Sequence, residues 1–509
     1  MWLPTTRTND FIQIIMKKSI VFLLFFASSL TTYSQSISKN ALVSDQNGDN
    51  LTNYNEMMSY LSTICKKGSV LHLDTLAFSV KGRAIPLIHV KTDDKSIKNK
   101  INVLLFAQQH GDEPSGKEAL LQLIQEIADD KLDSYLDYMN LLIVPMVNPD
   151  GAEAGTRRNG RGVDLNRNHL ILTEPETQGL HNLFNKYLPE VTLDMHEYYP
   201  YEDTTKKFPY IRQFDEQVGI LTNLNVNSDL REMQKRELLT YIGQEVSAKG
   251  FLFGEYAVGS IANGKTIRHS TVDIDDGRQS FGIQSTISLI SEGLNGKTPT
   301  DRIQKRSLAQ LIVAKSLLKW CLESPDWIKR RIAFQRHQLI NGTDSIIIQM
   351  DHVSDGSQRI VPMHNVITGK DSVFHLSNFA PKVAAIKKVK RPLAYLVPIT
   401  DTALVRFLNA QQISYVKLDQ LHNGKIFEYN IEEPKQIILE GMTIWDPTFS
   451  YSTINRKIDL NQYYFVSTNQ LRVITICLAF EPNSMFGLPN YSLYNYLMKK
   501  GSYPILRVE

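Results

Sequence analysis

Cysteine is scarce in this chain, with three in 509 residues: Cys65, Cys321 and Cys477. They lie far apart, and an odd count leaves at least one unpaired, so a disulfide scaffold is excluded and buried free thiols are the simpler reading. An excess of one charge is also missing. Lys and Arg number 56 against 53 Asp and Glu, for a net charge of +3. Nothing in that balance suggests a nucleic-acid surface. The one basic run, Lys387–Lys388–Val389–Lys390–Arg391, is interrupted by Val389 and followed by Pro392, and reads as a solvated loop. No long apolar run is present either. The most apolar stretch, Ile20–Ala27, is too short to span a bilayer as a permanent helix. Internal repeats and low-complexity tracts are absent.

What is there begins with a targeting segment. Met16–Lys17–Lys18 precedes Ile20–Ala27, and small and polar residues continue to Gln35. A positive start, an apolar centre and a cleavage-prone end read as an export signal over 1–35, with Met16 as a candidate true start. The protein is therefore expected in a periplasmic or extracellular space, with no stable membrane span.

From about 68 to 323, apolar runs alternate with amphipathic segments. Ile101–Ala107, Asn140–Val147 and Val191–Met195 read as strands. Segments 114–129, 174–187 and 228–248 read as helices, and a last helix covers about 301–322, with Ile303, Leu311, Ala314, Leu318 and Cys321 on one stripe. This is an α/β pattern: a mixed sheet with helices on both faces. After Pro325 short β-prone runs take over, at Ser345–Met350, Ile360–Pro362, Ala394–Pro398, Gln436–Leu439 and Tyr463–Val466. Ala403–Ala410 reads as a helix followed by a strand at Ile413–Leu418, giving a β-α-β order. The expected division is one domain over 45–325 and a smaller β-rich domain over 330–509.

Chemistry concentrates in the first unit. His110–Gly111–Asp112–Glu113 follows the strand Ile101–Ala107 and precedes a helix; of 12 His, only His110 has Glu three residues on. His196 ends another apolar run. Two His and a carboxylate at strand ends are a usual catalytic zinc set, leaving a fourth position for water. Each residue alone has a plainer reading: His110 and Glu113 as a helix N-terminal hydrogen-bonded pair, His196 as a core-edge histidine, Arg157 and Arg158 as loop charges, Asn166 and Arg167 as turn residues. Glu292 follows Ile290 in an apolar strand, where an idle carboxylate would be costly.

The ordered set resembles a known family. Asn148–Pro149–Asp150–Gly151, Arg157-x-Asn159, and Gly162–Val163–Asp164–Leu165–Asn166–Arg167–Asn168 resemble the zinc metallocarboxypeptidases of the carboxypeptidase A type. Tyr54–Asn55–Glu56–Met57, Ser79–Val80–Lys81–Gly82–Arg83 with Ile85–Pro86–Leu87, and Glu174–Pro175–Glu176–Thr177 extend the likeness, which runs from about 50 to 325. Arg391–Pro398 and Tyr503–Val508 are similar to segments of bacterial members with a long C-terminal extension. The resemblance implies a mixed sheet of eight-stranded type, one zinc ion per chain held by His110, Glu113 and His196, and Arg157 on the scissile carbonyl. It also implies that Asn166 and Arg167 bind the substrate's terminal carboxylate and that Glu292 is the base. The implied partners are peptides or proteins with a free C-terminus.

Two departures stand out. The family usually supplies a mobile Tyr some twenty residues before the Glu, but Arg268–His269–Ser270–Thr271 occupies that position. Tyr256 is the nearest upstream candidate, and Arg278 is a second candidate for substrate contact, with a turn Arg as its plain alternative. His169 stands where many members have an aromatic residue; it reads as structural, with a spare-ligand role as the alternative. About fifteen positions before Glu292 lies Asp275–Asp276–Gly277, where an acid in the pocket would favour a basic terminal residue. The leading reading is a secreted zinc carboxypeptidase. An amidase acting on cell-wall peptides or acyl-amino acids is the alternative among hydrolases, and a non-catalytic peptide- or glycan-binding protein the alternative of another class.

Overall fold

A computed structural model describes residues 51–67, 70–91, 100–201, 203–421 and 423–509. The candidate export segment lies outside them. Among the described residues no helix is long and apolar enough to cross a membrane.

The frame is an eight-stranded mixed sheet. Its strands are β1 (Leu71–Phe78), β2 (Ala84–Val90), β3 (Ile101–Ala107), β4 (Met139–Val144), β5 (Val191–Tyr198), β6 (Glu216–Gly219), β7 (Phe253–Glu255) and β8 (Ile287–Leu294). They lie in the order β1-β2-β4-β3-β5-β8-β6-β7. The middle four, β4, β3, β5 and β8, run parallel, and β2 and β6 pair antiparallel against their outer edges. The parallel strands are buried on both faces, which is why they read as unbroken apolar runs. Their residues still alternate: Val103 and Leu105 join the core beneath helices Ser115–Ala128 and Ile303–Glu323, while Leu104 and Phe106 pack on the other face with Leu180, Phe184 and Phe281. The expected stripe on Ile303–Glu323 is buried, Ile303, Leu311, Ala314, Leu318 and Cys321 all facing inward.

The chain beyond Pro325 is built onto this frame. It starts with a helix, Pro325–Asn341. Strand Arg359–Asn365 pairs with Tyr210–Arg212 of the first unit, and Phe379–Ala380 pairs with Ile267–His269. A further sheet orders Thr448–Thr453, Ile426–Glu433, Leu506–Val508, Ala394–Pro398 and Tyr463–Ser467, around the fully buried helix Val473–Phe480. Two expectations are corrected. Ile413–Leu418 is not a strand; only Val416 bridges to Phe465, and Ala394–Pro398 pairs antiparallel on both sides, so no parallel β-α-β unit forms. The basic run is not a loop. Lys382–Val389 is a strand against Ile346–Val353, and Arg391 donates to the carbonyls of Leu339, Ile340 and Gly342, closing the C-terminal end of the preceding helix.

Candidate active site

Two loops carry the His-x-x-Glu and Asn-Pro-Asp-Gly motifs, and they touch through their glycines. A Cβ on Gly111 would sit 2.0 Å from the carbonyl carbon of Gly151, so only glycine allows the crossing. The Asn148 side chain fixes it, accepting from the Gly151 N–H at 2.8 Å and donating to the Gln109 carbonyl at 3.0 Å. Asp150 is buried beneath. It accepts from Arg83 Nη1 at 2.6 Å, Ser79 Oγ at 3.0 Å and the Lys81 N–H at 2.9 Å, which is the physical link between the Ser79–Arg83 segment and the motif loop.

His110 and Glu113 leave the end of β3, and His196 lies near the end of the adjacent β5. One potential ligand atom from each lies within 4.8 Å of the others, and all three residues are buried. Glu113 Oε1 is 2.8 Å from His110 Nδ1 and its Oε2 is 2.9 Å from His196 Nδ1, while the two Nδ1 atoms are 3.0 Å apart. Behind each ring stands a carboxylate: Asp164 Oδ1 lies 3.0 Å from His110 Nε2, and Asp194 Oδ1 lies 2.9 Å from His196 Nε2. Two inward nitrogens and a carboxylate, each imidazole backed by an acid, fit a zinc ion. The electrostatics agree. Burial alone would raise the Glu113 pKa, but His110 and His196 hold it well below the ordinary carboxylate range. Burial opposes charge on His196, yet Asp194 and Glu113 push its pKa well up. The pocket favours positive charge at its centre.

Glu292 is set by sheet register. It lies beside His196 across the parallel β8–β5 pair, and residues in register share a face. Its side chain lines the cleft and makes no hydrogen bond among the described residues. Burial, together with the nearby Glu113 charge, raises its pKa to about 7 against the pull of His196 and His110. Glu197, the neighbouring acid, is committed elsewhere: Arg306 donates to it from Nε at 2.8 Å, and the Ser115 N–H at 3.1 Å.

Arg157 is half exposed above the three residues, with Nη1 3.2 Å from Glu113 Oε1 and Nε 3.1 Å from Asp164 Oδ2. Asn166 is buried in a short 3₁₀ turn capped by Asp164. Its Oδ1 accepts from the Gly277 N–H at 2.7 Å, and its Nδ2 is 3.3 Å from His196 Nε2. Arg167 extends into the cleft opposite Asp273, Asp275 and Asp276, whose charges outweigh burial and raise its pKa. Tyr256 also lines the cleft, despite its unusual spacing, with its ring 6.0 Å from the Arg278 guanidinium.

Arg278 is different. It is fully buried, does not line the cleft, and donates to Ser270 Oγ, to Thr271 Oγ1 at 2.7 Å and to Asp276 Oδ2 at 3.0 Å. That network braces the cleft floor from behind, and a bound substrate would have no access to it. Asp275 likewise faces inward, accepting from Tyr491 Oη at 3.1 Å. His169 lies away from the three converging residues, between Gln109 Oε1 at 2.8 Å and His181 Nε2 at 3.0 Å. Three contributors were not singled out from the sequence. Asp164 sits inside the Asn-Arg motif, Asp194 lies two residues before His196 on the same strand face, and Gln109 joins Asp194 to Asn166 and His169. Alternation along β5 was a usable signal for Asp194; Gln109 carried none.

The cleft holds about 1100 Å³ above the ends of the parallel strands. An α/β sheet with a buried His-Glu-His group at its strand ends, an adjacent acid without a hydrogen bond among the described residues, and Arg157 and Arg167 in the same cleft defines a metal-dependent hydrolase. The zinc carboxypeptidase family model matches residues 57–223. Carboxypeptidase 2 of Trichophyton rubrum is 24% identical over 469 residues, covering 89% of this chain and 86% of that protein. Carboxypeptidase M of Mus musculus is 31% identical over 144 residues, 24% of this chain and 32% of that protein. Among solved structures, carboxypeptidase A from Helicoverpa armigera superposes with a TM-score of 0.42 at 16% identity, covering 62% of this chain and 87% of that one. Residues 57–223 thus carry the zinc carboxypeptidase match, and the protein is a zinc-dependent peptidase.

Proposed function

We propose that this protein is an exported exopeptidase that removes the last residue from peptides or proteins with a free C-terminus. In this reading 45–325 is the catalytic unit, and one zinc ion per chain is held by His110, Glu113 and His196. The observation that carries the reading is the juxtaposition of a free base, Glu292, with that buried donor set and with two groups suited to a carboxylate, Asn166 and Arg167. The export segment over 1–35 supports a periplasmic or extracellular site of action.

The roles follow from chemistry. When bound, zinc supplies a Lewis acid that polarises a carbonyl and lowers the pKa of water. Arg167 offers the planar fork that matches a terminal carboxylate, and Asn166 adds a neutral donor beside it. Arg157, half exposed at the rim, supplies positive charge where the scissile oxygen gains negative charge. Glu292 accepts the proton of the attacking water and passes it to the leaving amine, so one carboxylate serves as base and then acid. Tyr256 closes the wall beside Glu292 and contacts the substrate.

Amidating the C-terminus of a good substrate tests this. The clamp loses its charged partner, so kcat/KM is expected to fall roughly tenfold to a hundredfold, the worth of a charge-assisted contact. The same amidation should matter far less in Arg167→Ala. Equal cleavage of free and blocked peptides by the wild-type protein would point to the amidase reading instead.

A further inference from the structure

The cleft is not built from the catalytic unit alone. Ile438, Glu440, Gly441 and Met442 line it, and all four belong to a hairpin in the C-terminal region, Gln436–Leu439 with Met442–Trp445. The register closes this hairpin through a two-residue turn, Glu440–Gly441. Both turn residues have positive φ, 54° at Glu440 and 76° at Gly441, the geometry that suits the twist of a two-residue hairpin. Asn, Asp or Gly is the ordinary occupant of the first position; Glu there is strained. A strained residue persists only where its surroundings hold it.

Those surroundings are in the cleft wall. The Glu440 side chain is fully buried. Its carboxylate accepts from Arg268 Nη1, from the His352 N–H at 2.8 Å and from His352 Nδ1 at 2.5 Å. Arg268 Nη1 also donates to the Glu440 carbonyl at 2.8 Å. Arg268 belongs to Ile267–His269, the strand that pairs with Ala257–Val258 beside Tyr256, and Ser270 N–H donates to the Tyr256 carbonyl at 3.0 Å. The hairpin tip is thus pinned to the segment that carries Tyr256 and leads into Thr271 and Asp273 of the cleft. Arg167, Asp273, Arg268, Ile438 and Glu440 all line this one cleft. Asp273 is near enough to Arg167, Glu440 and Arg268 to feel the charge of each. With Glu440 turned inward, the hairpin offers the cleft one apolar side chain: Ile438 is 78% exposed, while Ile437, Leu439 and Met442 pack inward.

We infer that the hairpin Gln436–Trp445 is part of the substrate site, and that Ile438 contacts the side chain of the substrate's terminal residue. Glu440 is the positioning residue that holds it there. The assignment rests on the carboxypeptidase reading, because Arg167 fixes which end of the peptide lies beside the hairpin. Through this hairpin the C-terminal region selects apolar over small terminal residues.

The test compares the zinc-loaded, full-length protein with Ile438→Ala and Glu440→Asn on two acyl-dipeptides, one ending in Leu and one in Gly. Ile438 is exposed, so its truncation leaves the fold intact. Asn tolerates positive φ, so Glu440→Asn keeps the turn but is too short to reach Arg268. Covering one or two carbons of Ile438 corresponds to about a fourfold to fifteenfold effect. Both variants should raise KM for the Leu peptide by that factor, leave its kcat within about twofold, and leave the Gly peptide unchanged. An unchanged Leu-to-Gly preference in Ile438→Ala, or an equal loss on both peptides, overturns the assignment. Failure of the wild-type protein to cleave either peptide would count against the carboxypeptidase reading itself.

Discussion

Replacing Glu292 with Gln should abolish turnover while stabilising the metal-free protein, a combination that a structural carboxylate would not give. The side chain keeps its shape, and no hydrogen bond is lost, because Glu292 makes none among the described residues. What disappears is a buried charge. Burial raises the pKa from 4.5 to about 7. At about 1.4 kcal/mol per pKa unit, that corresponds to about 3 kcal/mol. The sign follows from proton counting. Between 4.5 and 7 the folded state holds the proton more tightly than the unfolded state. The contribution of protonated Glu292 is therefore fully present below pH 4.5 and is lost as pH rises through 7. Gln carries no such loss. In chelator-treated protein, denaturant unfolding at pH 5 should give similar stabilities for wild type and Glu292→Gln. At pH 8.5 the variant should be the more stable by about 2–3 kcal/mol. Zinc should narrow that gap, since a cation beside the carboxylate favours its ionised form. Turnover of the zinc-loaded variant should drop by roughly 10²–10⁴-fold. A variant that is less stable than wild type at pH 8.5, or that retains a tenth of normal turnover, would refute the reasoning.

Two further outcomes test the frame of the site. His196→Ala should lose zinc or bind it much more weakly by metal analysis of the dialysed protein; full retention would remove His196 from the ligand set. Gly111→Ala forces a Cβ into the Gly151 backbone and should cost about 1–3 kcal/mol in denaturant unfolding, with weaker zinc retention because both motif loops must shift. Unchanged stability and metal content in Gly111→Ala would mean that the two loops do not need to touch.

The site was legible where chemistry and local pattern coincide. His110, Glu113 and His196 stand at strand ends that the apolar runs mark out, and Asn166–Arg167 follow an Asp that caps their turn. Glu292 could be singled out because a carboxylate in an apolar strand needs a reason. Tyr256 was harder to find. Its distance along the chain from Glu292 is set by the detour through Ile267–His269, and only pairing brings it back to the cleft. Arg278 shows the converse. A Gly-Arg beside acids reads equally as a substrate contact or as a brace, and burial decides for the brace. The C-terminal region reads as β-rich, and five of the runs read as strands there are strands, but Asp371–Leu376, Lys382–Val389, Ile426–Glu433, Met442–Trp445 and Thr448–Thr453 are strands that the sequence did not mark out. Whether those strands stood apart or joined the first unit was not readable, because pairing between distant segments leaves no periodic trace.

The sequence by itself determined the sheet's central strands, the helices over them and which two His and one Glu could hold a metal, since burial on one or both faces and the chemistry of metal donors restrict residue types position by position. Tertiary structure alone decided which acids are free. Glu292 and Glu197 lie on adjacent strands and both line the cleft, yet Arg306, more than a hundred residues further on, ties down only Glu197. It also decided that a hairpin near residue 440 closes a cleft opened near residue 110, because a carboxylate can cross that distance in sequence only when the fold brings Arg268 to meet it.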